Sequence, residues 1–265
     1  MHRLPDLTCD THVHTRLCGH AVGDMEDYVQ AAITRGLGRL TFLEHLEEGI
    51  DSPVVTWLTE ADFDQYFLEG ERLRRVYGEK IDIRLGVECG YNEEAVEALR
   101  RRLAARPWDA VGLSCHYLRT APSRHLNLFS RRGENVEAAA REGSDRLLSR
   151  YFAHLAAAVT ELGAGTALCH LDGALRHLPG LCLLHHHLEQ IATVLDLVKQ
   201  RGLFLEVNTS GIAIRGEPFP RRSILAMAVE RGIPLQLASD AHKPEDVGRS
   251  FALAGELIRS LAPPC

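Results

Sequence analysis

This chain of 265 residues lacks paired cysteines, long apolar runs and any excess of basic charge. Its seven cysteines are an odd number with no C-x-x-C spacing, which argues against a disulfide framework and suits a reducing compartment. No apolar stretch approaches the roughly 20 residues that a bilayer-spanning helix needs. The opening MHRLPDLTCD has no apolar h-region of a secretory leader, so a cytoplasmic protein with no membrane partner is expected. A net charge of −6 gives no global basic field, and nucleic acid is not an expected partner. Pro- or Ser-rich linkers, solenoid-period repeats and low-complexity tracts are also missing, so residues 1–265 are expected to form one domain. Assembly into a homo-oligomer stays open.

What is present is an alternation of short apolar strands and longer amphipathic segments, in a chain with 45% hydrophobic and 25% charged residues. Strands are predicted over 7–13, 37–45, 81–88, 110–116, 165–170, 203–209 and 234–240. Stretches such as EDYVQAAITRG, EEAVEALRRRLAA, SILAMAVERG and PEDVGRSFALAGELIRSL read as helices, and Gly36, Gly202 and Gly232 as their stops. The alternation predicts an α/β fold with a parallel sheet and right-handed crossovers. Seven such units without a linker favour one closed barrel over two lobes. Residues 117–143, YLRTAPSRHLNLFSRRGENVEAAAREG, break the pattern. They are polar, Arg-rich and weakly periodic, and are expected to form a long functional loop over a site.

Histidine is the abundant chemical group. The stretch DTHVHTRLCGHA places His12, His14 and His20 before the first predicted helix. His12 and His14 close the first strand, His45 the second and Glu88 the third. His116 ends the fourth, His170 the fifth, and Asp240 with His242 the seventh. The C-terminal ends of the strands are where barrels build active sites. Seven histidines and two carboxylates at one mouth are too many donors for one ion, and nitrogen with carboxylate oxygen suits zinc, manganese or iron. Cys89, Cys115 and Cys169 adjoin Glu88, His116 and His170, so strand alternation should turn them to the opposite face as buried packing, with thiolate ligation the other reading. His185, His186 and His187 are adjacent and read as surface residues; His2, His154 and His177 lack the strand-end register, as does His125, which the long loop could carry to a substrate. Glu44 should face away from His45 and serve packing or support, while Asn208 and Ser210 either orient ligands or make a turn.

Taken in order, H-x-H-T-x-x-C-G-H-A, F-x-E-H, G-x-E, S-x-H-Y, C-H-x-D, N-T-S-G and S-D-A-H resemble the motifs of the polymerase-and-histidinol-phosphatase (PHP) superfamily, from Asp10 to about Gly248. CGHAxG and NTSG followed by GEPFPR resemble its histidinol-phosphate phosphatases most. The resemblance implies a distorted, TIM-like (β/α)7 barrel with two to three divalent transition metals (Zn, Mn or Fe). By position, His12, His14, Glu88 and Asp240 would hold one metal. Glu88 would bridge to a second held by His116 and His170, and His20, His45 and His242 would take the third. Arg176 and Arg215 resemble the family's phosphate contacts, with His125 a further candidate substrate contact.

The implied substrate is a small phosphate monoester, L-histidinol phosphate, attacked in line by a hydroxide bridging two metals. Paired cations offset the phosphate charge and lower the pKa of water toward about 7. Asp240 or His242 would protonate the leaving alkoxide. The chain departs from the family at ECGYNEE, where an acidic residue is usual soon after the Glu motif, and at 117–133, YLRTAPSRHLNLFSRRG, where an aromatic, Gly-rich stretch is usual. Both departures bear on substrate identity. Two other readings stay open: a PHP-type nuclease or nucleotide phosphatase, and a non-catalytic metal-bound structural module.

Overall fold

Leu40 to Leu46 are buried without a break, the pattern of a parallel strand covered on both faces. A computed structural model, which describes residues 4–121 and 124–261, shows where such segments go. Its strands are β1 (Cys9–Val13), β2 (Arg39–Leu46), β3 (Asp82–Gly90), β4 (Val111–Ser114), β5 (Tyr117–Ala121), β6 (Arg124–Asn127), β7 (Ala167–Leu168), β8 (Phe204–Asn208) and β9 (Leu235–Ala238). The helices are α1 (Met25–Thr34), α2 (Glu60–Tyr77), α3 (Val96–Ala104), α4 (Gly133–Glu142), α5 (Ser144–Glu161), α6 (His185–Arg201), α7 (Ser210–Arg215), α8 (Arg222–Glu230) and α9 (Phe251–Leu261). His2 lies outside the described residues.

Seven parallel strands run in the order β1-β2-β3-β4-β7-β8-β9, one for each predicted strand. The chain just past β9 returns to β1, where Asp240 N–H donates to His12 O and Ala241 O accepts from His14 N–H, each at 2.9 Å. The result is a nearly closed, TIM-like barrel with its helices outside. Helix α2 starts at a capping box in which Thr59 and Asp62 satisfy each other's backbone N–H groups. Helix α6 ends at Gly202, whose φ of 68° suits a residue without a Cβ. Helix α5 turns Leu148, Tyr151, Phe152 and Leu155 inward, the stripe that seals the β4 side of the barrel. Among the described residues, no helix is long and apolar enough to cross a membrane.

Two expectations need correction. Residues 117–143 are not a long loop: β5 and β6 form an antiparallel hairpin with Leu118 opposite Leu126, followed by α4. The physical reason is burial, because Tyr117, Leu118, Leu126 and Leu128 join the apolar interior while arginines between them stay outside and blur the period. Pro122 and Ser123 lie outside the described residues. The second concerns the histidine triplet, of which His187 is fully buried. Its Nδ1 accepts from Leu184 N–H at 3.1 Å and its Nε2 donates to Asp145 O at 3.1 Å, so the ring satisfies an unpaired donor at the start of α6.

The β2–β3 pair tests the barrel's close packing. In that pair Gly86 lies opposite Leu43, and a Cβ on Gly86 would come within 2.6 Å of both Ala110 O and a Leu43 methyl. Backbone oxygen cannot yield easily, so Gly86→Ala should lower unfolding free energy by about 1–3 kcal/mol in denaturant titration. Unchanged stability would show that the strands are not packed this closely.

Candidate metal centre

Strand register places the donors before any side chain is considered. His45 and Glu88 are direct neighbours across β2 and β3. His12 lies on β1 with His14 just beyond it; His116, His170, Asp240 and His242 follow β4, β7 and β9 by two to four residues. His20 arrives on a short 3-10 turn, Arg16–Cys18, capped by Thr15. Two of these residues sit at positive φ, His170 at 24° and Asp240 at 50°. Backbone strain in non-glycine residues concentrates where a side chain must be aimed.

All nine predicted donors come together. Glu88 is the hub: its Oε1 lies 2.7 Å from His170 Nε2 and 3.0 Å from His116 Nε2. Its Oε2 lies 2.9 Å from His45 Nδ1, 3.5 Å from His12 Nε2 and 3.6 Å from His14 Nε2. Asp240 Oδ1 is 3.4 Å from His14 Nε2. His14, His45 and His242 form a further group, and the Nε2 atoms of His242 and His20 are 2.8 Å apart.

The last pair shows what the cluster suits. His20 Nδ1 bonds Cys18 O and His242 Nδ1 bonds Asp240 O. A carbonyl only accepts, so each Nδ1 donates and each neutral ring presents an unprotonated Nε2. Two facing lone pairs at this distance repel unless they share a cation. Burial, with His45 and His242 adding to it, pushes His20 down to about 3 and His14 well below the ordinary histidine range. Burial would raise Glu88, but His116, His12, His45 and His170 hold it well below the ordinary carboxylate range. Asp240 is held low against burial by His14, His12 and His242. The depressed imidazoles of His14, His20 and His242 beside the ionised Glu88 and Asp240 are donors of the kind that fit divalent transition metals.

Further carboxylates aim the rings, and sequence reasoning missed two of them. Glu206 Oε2 takes His12 Nδ1–H at 2.7 Å, while its Oε1 takes the Asn208 amide at 2.9 Å. Glu47 Oε1 lies 2.6 Å from His116 Nδ1. Such partners fix the tautomer and raise the basicity of a ligating ring. The signal was there: Glu206 interrupts an apolar strand two residues before Asn208, and Glu47 stands two residues after His45. Glu44 accepts from the Thr15 N–H and hydroxyl at 2.8 and 2.5 Å, anchoring the turn that carries His14. Burial lifts its carboxyl to about 8. Asn208 also meets Asp240 at 3.2 Å and accepts from Ser210 N–H at 3.0 Å, so it orients a donor and makes a turn at once.

The cysteine expectation fails at one place. Cys89 and Cys115 are buried, but Cys169 falls into a group with His12 and Glu88 on the donor side. Regular pairing of β7 ends at Leu168 and His170 turns at positive φ, so two-residue alternation does not extend across this pair. Burial pushes the Cys169 thiol well up, and Glu206 adds to it, which leaves the thiol protonated and a poor ligand.

The profile of the PHP domain family matches residues 10–210. The chain belongs to this family. It is 32% identical over 259 residues to the "Probable histidinol-phosphatase" of Deinococcus radiodurans, covering 96% of this chain and 93% of that one. The "Histidinol-phosphatase" of Bacillus subtilis is 26% identical over 91% of this chain and 96% of its own length. A histidinol phosphate phosphatase of Lactococcus lactis, solved with zinc, L-histidinol and phosphate, aligns with a TM-score of 0.79 over 96% of this chain and 93% of that one. At 19% identity that likeness speaks for the fold.

Beside the PHP donor cluster lies a positively charged wall. Phe129 packs against His170 and His116, with ring centroids 4.8 and 5.2 Å away. The Arg176 guanidinium sits 4.9 Å from the Phe129 centroid and 5.5 Å from that of Phe219. Its Nε and Nη1 are buried with no hydrogen-bond partner. Burial lowers this guanidinium's pKa while Asp240 and Glu88 act to raise it. Arg215 stacks 4.0 Å over Phe219 and directs its fork at Asp172, both contacts at 3.0 Å. His125, buried on β6, accepts at Nδ1 from Asp51 N–H at 3.1 Å and leaves Nε2 without a partner.

If Glu206 orients His12, Glu206→Ala should weaken metal binding about 10- to 100-fold while the protein stays folded. Competition with a graded series of chelators, read by metal analysis, measures this. Retention equal to wild type would mean that the Glu206 contact does not aim the ring.

Proposed function

We propose that this chain is a metal-dependent phosphoric monoester hydrolase that converts L-histidinol phosphate and water to L-histidinol and inorganic phosphate. One observation carries the reading: a cluster of nine nitrogen and carboxylate donors adjoins a buried arginine with two unpartnered nitrogens. Cations on one side and a guanidinium on the other suit a phosphate dianion. The histidinol part rests on the relative that is 32% identical over nearly the whole chain and carries that name.

In this reading His12, His14, Glu88 and Asp240 would hold one metal. Glu88 would be shared with a second held by His116 and His170, and His20, His45 and His242 would hold a third. Two to three zinc, manganese or iron ions would occupy the set. Bound there, they offset phosphate charge and lower the pKa of water. Arg176 binds phosphate oxygens through its free nitrogens, and Arg215, whose Nη1 and Nη2 are held by Asp172, is a further phosphate contact through its unpartnered Nε alone. Asp240, held ionised, takes the proton that the attacking water gives up and passes it to the leaving alkoxide. His242 is better suited to hold a metal than to act as this acid, because its Nδ1 is committed to Asp240 O and its Nε2 is unprotonated. His125, on the hairpin with Nε2 unpartnered, is the candidate contact for the leaving group.

Phosphate release from histidinol phosphate, p-nitrophenyl phosphate and mononucleotides, with and without chelator, tests the reading. Histidinol phosphate should give the highest kcat/KM, and chelation should abolish turnover. A preference for mononucleotides would overturn the substrate assignment, and chelator-resistant turnover would overturn the metal dependence.

Glu88→Gln removes the bridging charge and should lose activity and at least one metal. Wild-type activity in that variant would remove Glu88 from the centre. Arg176→Ala should keep its metals and lose about 10- to 150-fold in kcat/KM, equivalent to roughly 1.5–3 kcal/mol for a charge-assisted contact. The loss should be similar for histidinol phosphate and p-nitrophenyl phosphate, since both present the same phosphate. A loss confined to one substrate would place Arg176 against the leaving group instead.

A further inference from the structure

Two arginines converge on one buried carboxylate next to the donor cluster. The Asp172 side chain is 1% exposed and lies two residues beyond His170, in a turn closed by Gly173 N–H to His170 O at 2.7 Å. Arg215 donates to it through Nη1 and Nη2. Arg221 donates to Asp172 Oδ2 through Nε at 2.8 Å and through its backbone N–H at 3.3 Å. The two arginines use this carboxylate differently. Arg215 commits its fork to Asp172 and also donates from Nη2 to Pro218 O. Arg221 commits only Nε, and among the described residues its Nη1 and Nη2 make no hydrogen bond. Its side chain is 27% exposed.

Charge and place give that free fork a use. Arg215 and Arg221 bring two guanidinium charges to Asp172, with Arg176 beside them against the same Phe219 ring; the nearest other carboxylate on Arg215 is Glu217, 4.0 Å from its Nε and itself 37% exposed. The excess is positive, and Phe219 connects the group to the donors: its ring lies under both Arg215 and Arg176. Arg176 leads in turn to Phe129 and His170. A planar fork matches a pair of phosphate oxygens. Without Asp172, Arg215 and Arg221 would repel each other and turn toward water.

We propose that Arg221 contacts the substrate phosphate and that Asp172 is its positioning residue, an inference that rests on the phosphatase reading above. Asp172 aims Arg221 by holding Nε, the one nitrogen of the guanidinium that leaves the fork open. The turn that presents His170 to the donors therefore also sets the phosphate-binding arginine.

The test compares Arg221→Ala, Asp172→Asn and the Arg215→Ala/Arg221→Ala double variant with and without Asp172→Asn, all metal-loaded. Arg221→Ala should raise KM about tenfold or more for both histidinol phosphate and p-nitrophenyl phosphate, and weaken calorimetric binding of inorganic phosphate by a similar factor. Its metal content should match wild type, and added guanidinium ion should restore part of the loss. Asp172→Asn should weaken phosphate binding in the wild-type background. In the double-variant background it should have no effect or tighten binding, because a bare carboxylate there repels phosphate. Wild-type phosphate affinity in Arg221→Ala overturns the contact, and a further loss from Asp172→Asn in the double variant overturns the positioning role. If Asp172→Asn does not fold, the partly exposed Arg221 still decides the contact alone. Should the wild-type protein release phosphate from no monoester, the phosphatase reading fails, while the calorimetric comparison still decides whether Arg221 binds phosphate.

Discussion

Glu88 is a fully buried carboxylate with five imidazoles within 3.6 Å of its oxygens. A charge taken out of water is costly unless partners replace the lost solvent, and here the partners come from four other strand ends. His12 and His14 arrive with β1, His45 with β2, His116 with β4 and His170 with β7. The barrel is what lets one carboxylate meet them all. Its closure between β1 and the segment after β9 uses the backbone of His12, His14 and Asp240, so the seam of the fold and the edge of the site share residues.

Around that hub the polar groups form layers. Glu206 and Glu47 hold the outer nitrogens of His12 and His116, and Glu44 holds the turn after His14 through Thr15. Each is buried, and Glu206 and Glu47 leave the rings they support with one defined role. Small residues make room: a Cβ on Gly90 would meet the Glu47 carboxylate at 2.1 Å. The donors are therefore oriented by packing as much as by hydrogen bonds, which suits a site that must not reorganise during reaction.

The arginine side of the site is built on aromatic plates. Phe129 touches the metal-donor histidines on one side and Arg176 on the other, and Phe219 lies under Arg176 and Arg215. Guanidinium groups stack on such rings while keeping their edges available for an anion. Phe129 reaches this place because the 117–143 segment folds as a hairpin and helix and its apolar residues are drawn inward. The departure from the family pattern in that segment thus lies beside the arginine wall.

Much of this was legible in the sequence because strand-end register is a local property. Seven strands, the helix stops and the places of the nine donor-type residues follow from periodicity, turn residues and motif spacing. The register could not show what lies across the barrel. Glu206 and His12 are 194 residues apart, and only closure of the sheet brings them within 2.7 Å. Asp172 and Arg221 come together the same way, from turns after different strands. Cys169 turned toward the donors because the backbone bends at His170, a conformation that alternation cannot encode. Local chemistry selected the donors; the tertiary structure decided which second groups aim them, since hydrogen bonds between distant segments exist only once the barrel has formed.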